Sequence, residues 1–456
     1  MKLRSLIAVL AATSIAFSAT IPSAFAQAGG DAPQLIRDAE IESLMRLYTK
    51  PIFQAAGLNP GAVKVYLIND PRINAFVAGG QRIFIHTGLL QQAQTPNEVI
   101  GVLAHETGHI AGGHLARIGN EIERQSTAAI IGMLVGVAAM AGGAASGQNE
   151  MAKAGGGIMM GSQGMAQRLV LNYARAMESS ADQAAVKYLT ATGQSGKGML
   201  NLFQKLASQA LGSVRLVDPY VMSHPMPMDR IRNLEKVASA SPYFNTPDKP
   251  EMIVRHKLMQ AKLTGFLSPP QAVFQRYPPS DVTLAGRYAR SIAMFRQGDT
   301  RNAIKIIDTL IRDLPKDPYF WELKGQALLE GGQPAEAIAP LRQAVKMVPN
   351  SGLIRILLAQ ALIATETKAN AKAALVELKT ALASESDTAA LYQFMAMAYG
   401  RLDDIPRAEL ATAEAAARRG DRQLAKEKAK VAVASLKRGS PDWIRANDLL
   451  NFVNRE

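Results

Sequence analysis

Two stretches in the last third of the chain, QGDTRNAIKIIDTLIRDLP (297–315) and GGQPAEAIAPLRQAVKMVP (331–349), superimpose when one is shifted by 34 residues. Gly298 falls on Gly332, Ala303 on Ala337, Ile307 on Leu341 and Pro315 on Pro349. A period of that length specifies one supersecondary unit per repeat, which cannot bury its apolar face alone and must stack on its neighbours. In the second unit Trp321, Gly325, Leu328, Ala337, Leu341, Ala344 and Pro349 fall at helix–turn–helix positions. Small residues there let paired helices approach, and large ones fill the groove between neighbours. Tyr392, Met395, Ala396, Tyr399, Ala408 and Ala415 repeat the spacing further on. Between them, Leu378 and Ala381 fit if a few residues are inserted near Thr365–Asn370.

This is the pattern of a tetratricopeptide repeat, set against the plainer reading of an unrepeated all-α domain. Residues 281–456 are therefore expected to form an α-solenoid whose concave face serves as a platform for partners or clients.

The chain's 456 residues allow two or three domains. Lys2 and Arg4 precede the apolar run LIAVLAATSIAFSA, and Ala24-Phe25-Ala26 fits a signal-cleavage site before Gln27, so residues 1–26 are expected to direct export. The chain contains no cysteine, which leaves no disulfide and no thiolate site. Any metal must be held by His, Asp or Glu. The formal charge of +13 is scattered rather than clustered and accompanies no nucleic-acid motif. It points to an anionic membrane surface or acidic clients rather than to DNA.

Between these ends, residues 33–58 read as an amphipathic helix on Ile36, Leu44, Leu47 and Tyr48. VKVYLI (64–69), INAFV (73–77) and RIFIH (82–86) read as strands, the last two joined by a turn at Ala78-Gly79-Gly80. A helix capped by Thr95 or Asn97 follows. Residues 126–165, apolar and then rich in Gly and Met, suit a buried hairpin, a movable flap or a membrane-contacting segment. Helices are expected over 166–192, 197–210 and 228–239. SASPYFNTPDKP marks a boundary, after which a helical connector covers 251–266.

The chemistry centres on VLAHETGHIAGGH (102–114). On a helix His105 and His109 share one face, near enough for both imidazoles to bind one cation, and Glu106 stands beside it as a proton acceptor. His114 comes five residues after His109, about 140° off that face on a continuous helix. Gly112-Gly113 is positioned to end the helix, and His114 reads as a structural or supporting histidine. A better third ligand lies in RAMESSADQAA, where Glu178 and Asp182 are four apart on one helical face. Glu178 could complete a two-His, one-Glu zinc site, and Asp182 could fix a ligand histidine's tautomer. The bland alternative is a solvated acidic face. His86 and His256 have no partner spacing and read as structural, and His224 reads as a loop histidine.

HETGH followed by ESSAD, with NAFVAGGQRIFIHTGLL ahead and SHPMPMDRI behind, resembles the gluzincin metallopeptidase family of the CAAX prenyl-protein peptidase and the mitochondrial overlapping-activity protease. The export signal and the repeats make it similar to the periplasmic members with tetratricopeptide repeats. The resemblance implies one zinc on His105, His109 and Glu178, and Glu106 as general base. It also implies His224 as a transition-state donor or removable fourth zinc ligand, and Arg230 as an arginine near the active site.

The expected fold is mainly α. A zincin-like metalloprotease domain with a small sheet (27–250) leads through a connector (251–280) to the repeats (281–456). The implied activity is zinc endopeptidase and chaperone in outer-membrane protein assembly and quality control. Unfolded or misassembled outer-membrane proteins would be the clients, with the β-barrel assembly machinery a further partner through the repeats. Two alternatives stand beside it. One is a non-catalytic assembly factor with a structural zinc, the other an integral peptidase anchored by residues 128–145. The Arg82–His86 strand is expected to be a sheet edge that pairs with extended substrate.

Overall fold

The computed structural model describes residues 34–114, 116–117, 175–212, 220, 224 and 228–455. The expected signal peptide and the 126–165 segment lie outside them. Among the described residues no helix is long and apolar enough to cross a membrane. The chain divides into two compact units, one of residues 41–257 and one that joins residues up to Glu40 with 258–456.

In the first of these, the helix Ala39–Ala55 buries Ile41, Leu44, Met45, Tyr48 and Ile52. Leu47, expected on that face, is 42% exposed instead, because the apolar stripe is set by Ile41 and Met45 rather than by Ile36, which lies in an extended segment before the helix. Strand Arg82–His86 pairs in parallel with Lys64–Ile68 on one side and antiparallel with Ala75–Ala78 on the other. It is therefore interior, which corrects the expectation that it is an edge. A hairpin pattern shows that two strands pair but not what lies on the far side of either. Ala75–Ala78 forms the edge of this part of the sheet and packs beside the helix Pro96–Ala111. Ile83 and Ile85 bury one face of the sheet, while Tyr66, Phe84 and Phe76 stack across the three strands on the other.

Thr95 caps the Pro96–Ala111 helix by accepting from the Glu98 N–H. Asn97 ties this helix to the start of the helix Lys197–Gly212. Its amide donates to Ser195 O, and its Oδ1 accepts from the Gly198 N–H.

The repeat unit is a run of paired helices. Pro318–Glu330 with Pro334–Met347 buries Leu341, Ala337 and Ala344, and a side chain on Gly325 would strike Leu341. Gly298 and Gly332, in the turns between paired helices, both have positive φ, as do Glu366 and Asp403 in later turns. Glu366 keeps the spacing of the two glycines, and Ala371, Leu375 and Leu378 are buried in unbroken register behind it. The expected insertion near Thr365–Asn370 is thus elsewhere. The helix Lys368–Glu385 has 18 residues where Pro334–Met347 has 14, so the extra residues lengthen the helix at its far end.

Residues 34–40 belong to this unit. Arg37 donates to Glu385, and Ala39 sits in the repeat core. Lys262, buried, meets Asp38 at 2.8 Å, Glu40 at 3.2 Å and Glu322 at 3.9 Å, while the Tyr288 hydroxyl donates to Glu40. One lysine cannot balance three carboxylates out of water, so protons stay on some of them near neutrality. Burial pushes Glu40 up to about 7 and Glu322 up to about 8, with Lys262 opposing. Carboxyls raised on folding stabilise fully below their unfolded value, and that contribution fades as pH climbs through the folded one. Stability of the repeat unit should accordingly fall from pH 5 to pH 8, and Glu322→Gln should flatten the slope. Both tryptophans, Trp321 and Trp443, lie in this unit, so urea unfolding followed by their fluorescence reads it selectively. A slope unchanged by the substitution would refute the account.

Candidate metal centre

Glycine and alanine let the helices that build the centre approach closely. A Cβ on Gly108, inside HETGH, would stand 2.9 Å from Ala181 O and 3.0 Å from Ala181 Cα. The helix over residues 175–191 can therefore lie against the Pro96–Ala111 helix only where no side chain intervenes, and Glu178 and Asp182 flank that contact. A Cβ on Gly101 would likewise strike Met199 in the helix Lys197–Gly212. That helix brings Phe203 edge-on to His105, at 5.7 Å between ring centres.

Four side chains converge. His105, His109, Glu178 and His224 each offer one ligand atom, all within 4.8 Å of one another. The Nε2 atoms of His105 and His109 are 3.0 Å apart. Glu178 reaches His105 Nε2 at 3.4 Å through Oε2 and His109 Nε2 at 3.3 Å through Oε1. His224 Nδ1 is 3.4 Å from His105 Nε2 and 3.1 Å from Glu178 Oε2. Nitrogen and oxygen donors held about 2.0–2.1 Å from a tetrahedral zinc stand roughly 3.3–3.4 Å from each other. The observed separations therefore fit a zinc site.

Asp182 Oδ1 lies 2.9 Å from the outer nitrogen of His105, Nδ1, in a close but bent approach. Arg230 clamps both carboxylates, its Nε and Nη2 donating to Asp182 at 2.7 and 2.8 Å and its Nη1 standing 2.8 Å from Glu178 Oε2. It stacks over Phe203 as well.

Burial dominates the electrostatics, and the neighbours decide where it prevails. Burial alone would raise Glu178, but hydrogen bonds from His105, His109 and His224 hold it far below the usual carboxylate range. Burial opposes a charge on His105, yet Asp182 and Glu178 lift it to about 9, and burial takes His109 down to about 4. The anionic glutamate and the neutral His109 are the forms that bind a metal, and a proton on His105 would compete with one. Glu106 is fully buried, its pKa raised by that burial against His224 and His105. Neither of its carboxylate oxygens has a hydrogen bond among the described residues, and His224 Nε2 stands 3.5 Å away.

The residues expected at the site meet here: His105, Glu106, His109, Glu178, Asp182, His224 and Arg230. Arg230 faces the two carboxylates. His114 lies behind His109. His86 and His256 are elsewhere, His86 3.6 Å from Asp70 and His256 between Tyr48 and the Ala93 carbonyl. Sequence reasoning passed over Tyr220, which stacks on His224 at 4.6 Å and accepts the His224 N–H at its carbonyl. The four-residue spacing of the two was the available signal. It also passed over Phe203, an apolar residue like many others on its helix.

Residues 37–238 match peptidase family M48, and residues 288–352 match the tetratricopeptide repeat. The chain is 24% identical over 301 residues to a beta-barrel assembly-enhancing protease of Yersinia pestis, covering 65% of this chain and 60% of that protein. It is 32% identical over 181 residues to a putative beta-barrel assembly-enhancing protease of Vibrio cholerae, covering 39% and 35%. It is 29% identical over 215 residues to the Escherichia coli metalloprotease LoiP, covering 46% and 76%. The chain thus spans less than two thirds of the length of the first two.

Proposed function

From the match of residues 37–238 to peptidase family M48 and of residues 288–352 to the tetratricopeptide repeat, we propose a zinc-dependent endopeptidase and chaperone that acts on outer-membrane β-barrel proteins. The observation that carries the catalytic part is the meeting of two imidazoles and a carboxylate at 3.0–3.4 Å beside a buried carboxylate whose oxygens have no hydrogen bond among the described residues. An unsatisfied buried carboxylate costs stability, and a purely structural zinc gives no reason to keep one. The names of the relatives, the export signal read at residues 1–26 and the repeats support a periplasmic setting and outer-membrane clients.

His105, His109 and Glu178 would hold the metal. A bound zinc supplies a Lewis acid that polarises the scissile carbonyl and makes water more acidic. Glu106 takes the proton of the attacking water on one oxygen and returns it to the leaving amine, a double task suited to a carboxyl raised by burial. Asp182 holds His105 in the tautomer that leaves Nε2 free to bind, and Arg230 locks Glu178 and Asp182 in place. His224 supplies a fourth donor. Four protein ligands close a site, whereas a catalytic one keeps a position open. His224 is accordingly the removable ligand of a latent resting enzyme. Extended substrate would pair along the Ala75–Ala78 edge, which favours unfolded or loop segments.

The test uses purified protein and its His224→Ala variant on an unfolded outer-membrane β-barrel chain. One zinc per chain, cleavage by the variant, its loss in a strong chelator and its return with zinc are expected. Cleavage that continues in chelator would overturn the proposal.

A further inference from the structure

His109 and His105 are steadied from behind by different chemistry. The outer nitrogen of His105 faces a carboxylate, Asp182. The outer nitrogen of His109, Nδ1, faces another imidazole, with His114 Nδ1 at 3.0 Å and the two rings at 85°. His114 reaches that place through the two residues before it. Gly113 adopts φ +63, a left-handed conformation that stops the helix and turns the chain back, and a helical turn resumes beyond it. Gly112 lacks the Cβ that would otherwise stand closer than 3.0 Å to three atoms of the His114 ring. The result is a buried imidazole, 5% exposed, folded against its own helix end.

We propose that Gly112-Gly113-His114 is a positioning device, in which His114 accepts a hydrogen bond from His109 Nδ1 and so fixes His109 with Nε2 toward the metal. The proposal rests on His109 being a ligand. Its Nε2 faces His105 and Glu178, so its proton belongs on Nδ1, and an acceptor is needed there. His114 meets that need as the neutral tautomer with its own proton on Nε2. A neutral acceptor suits the place. The pocket already holds the carboxylates of Glu106, Glu178 and Asp182 with one guanidinium, Arg230, and another anion would go unbalanced.

The test measures zinc affinity of the full chain by competition with a chromophoric chelator, alongside the visible spectrum of the cobalt-loaded protein. His114→Phe keeps the volume and removes the acceptor, and should weaken zinc binding about 10–100-fold and shift the cobalt spectrum. His114→Asn, which restores an acceptor near the Nδ1 position, should recover most of both. Gly112→Ala keeps His114 but displaces its ring. Since Gly112 has helical φ −74, alanine there favours the helix, so melting should hold or improve while zinc affinity falls. Unchanged affinity in His114→Phe and Gly112→Ala would overturn the positioning role and leave the zinc site standing. A parent protein that binds no zinc would overturn both.

Discussion

Introduced beside His224→Ala, Glu106→Gln is expected to bind zinc as its parent does and to lose cleavage by a factor on the order of 10²–10⁴. Glutamine fills the same volume and cannot accept the proton of the attacking water. Glu106 is separate from the ligand set: the four converging donors come from His105, His109, Glu178 and His224. The same change at Glu178 removes an anionic ligand and should release the metal, so the pair of variants separates binding from proton transfer. Exchange at Glu106 also replaces a buried carboxylate that has no hydrogen bond among the described residues with a neutral amide, and the variant should melt no lower than the parent. Zinc content, cleavage rate and melting measured on one preparation check all three points. Cleavage retained by Glu106→Gln would remove the general base from the mechanism.

Lys262→Met should be the most damaging single change in the repeat unit. Burial works against the lysine's charge, and Asp38, Tyr288, Glu322 and Glu40 hold it protonated all the same. Methionine keeps the stem and leaves three carboxylates with no cation between them. Breaking a buried pair from one side costs about 3–5 kcal/mol. The loss should be greatest near pH 8 and smaller at pH 5, where Glu40 and Glu322 take up protons. Urea unfolding at the two pH values, read by tryptophan fluorescence, checks both size and direction. A loss under about 1 kcal/mol at pH 8 would show the cluster to be wetter than its burial implies.

The parts of this molecule that were legible in the sequence are those written in local periods. His105 with His109 and Glu178 with Asp182 are both four-residue pairs, and a helix turns such a pair onto one face. The repeats were legible because small residues recur where helices must touch. Other features depend on contacts between distant segments. That Arg82–His86 is interior follows from its parallel partner Lys64–Ile68, and no local pattern announces a parallel neighbour. The lengthened helix Lys368–Glu385 misled because an insertion inside regular structure shifts register without any turn residue to mark it. The place of His114 turned on one backbone angle, at Gly113. The meeting of Glu178 with the histidines was foreseen from residue types, but the reason for Gly108 in HETGH emerged only with the facing helix.

The threading of residues 34–40 bears on how the protein can be dissected. These residues share a compact unit with sequence that begins more than two hundred positions later, and Arg37, Asp38 and Glu40 all find partners there. A fragment beginning at residue 258 would keep every repeat yet strand Lys262, Glu322 and Glu385 without their N-terminal counterparts. Such a piece should be less stable than the parent's solenoid, and adding the excised heptapeptide in trans would be the natural way to mend it.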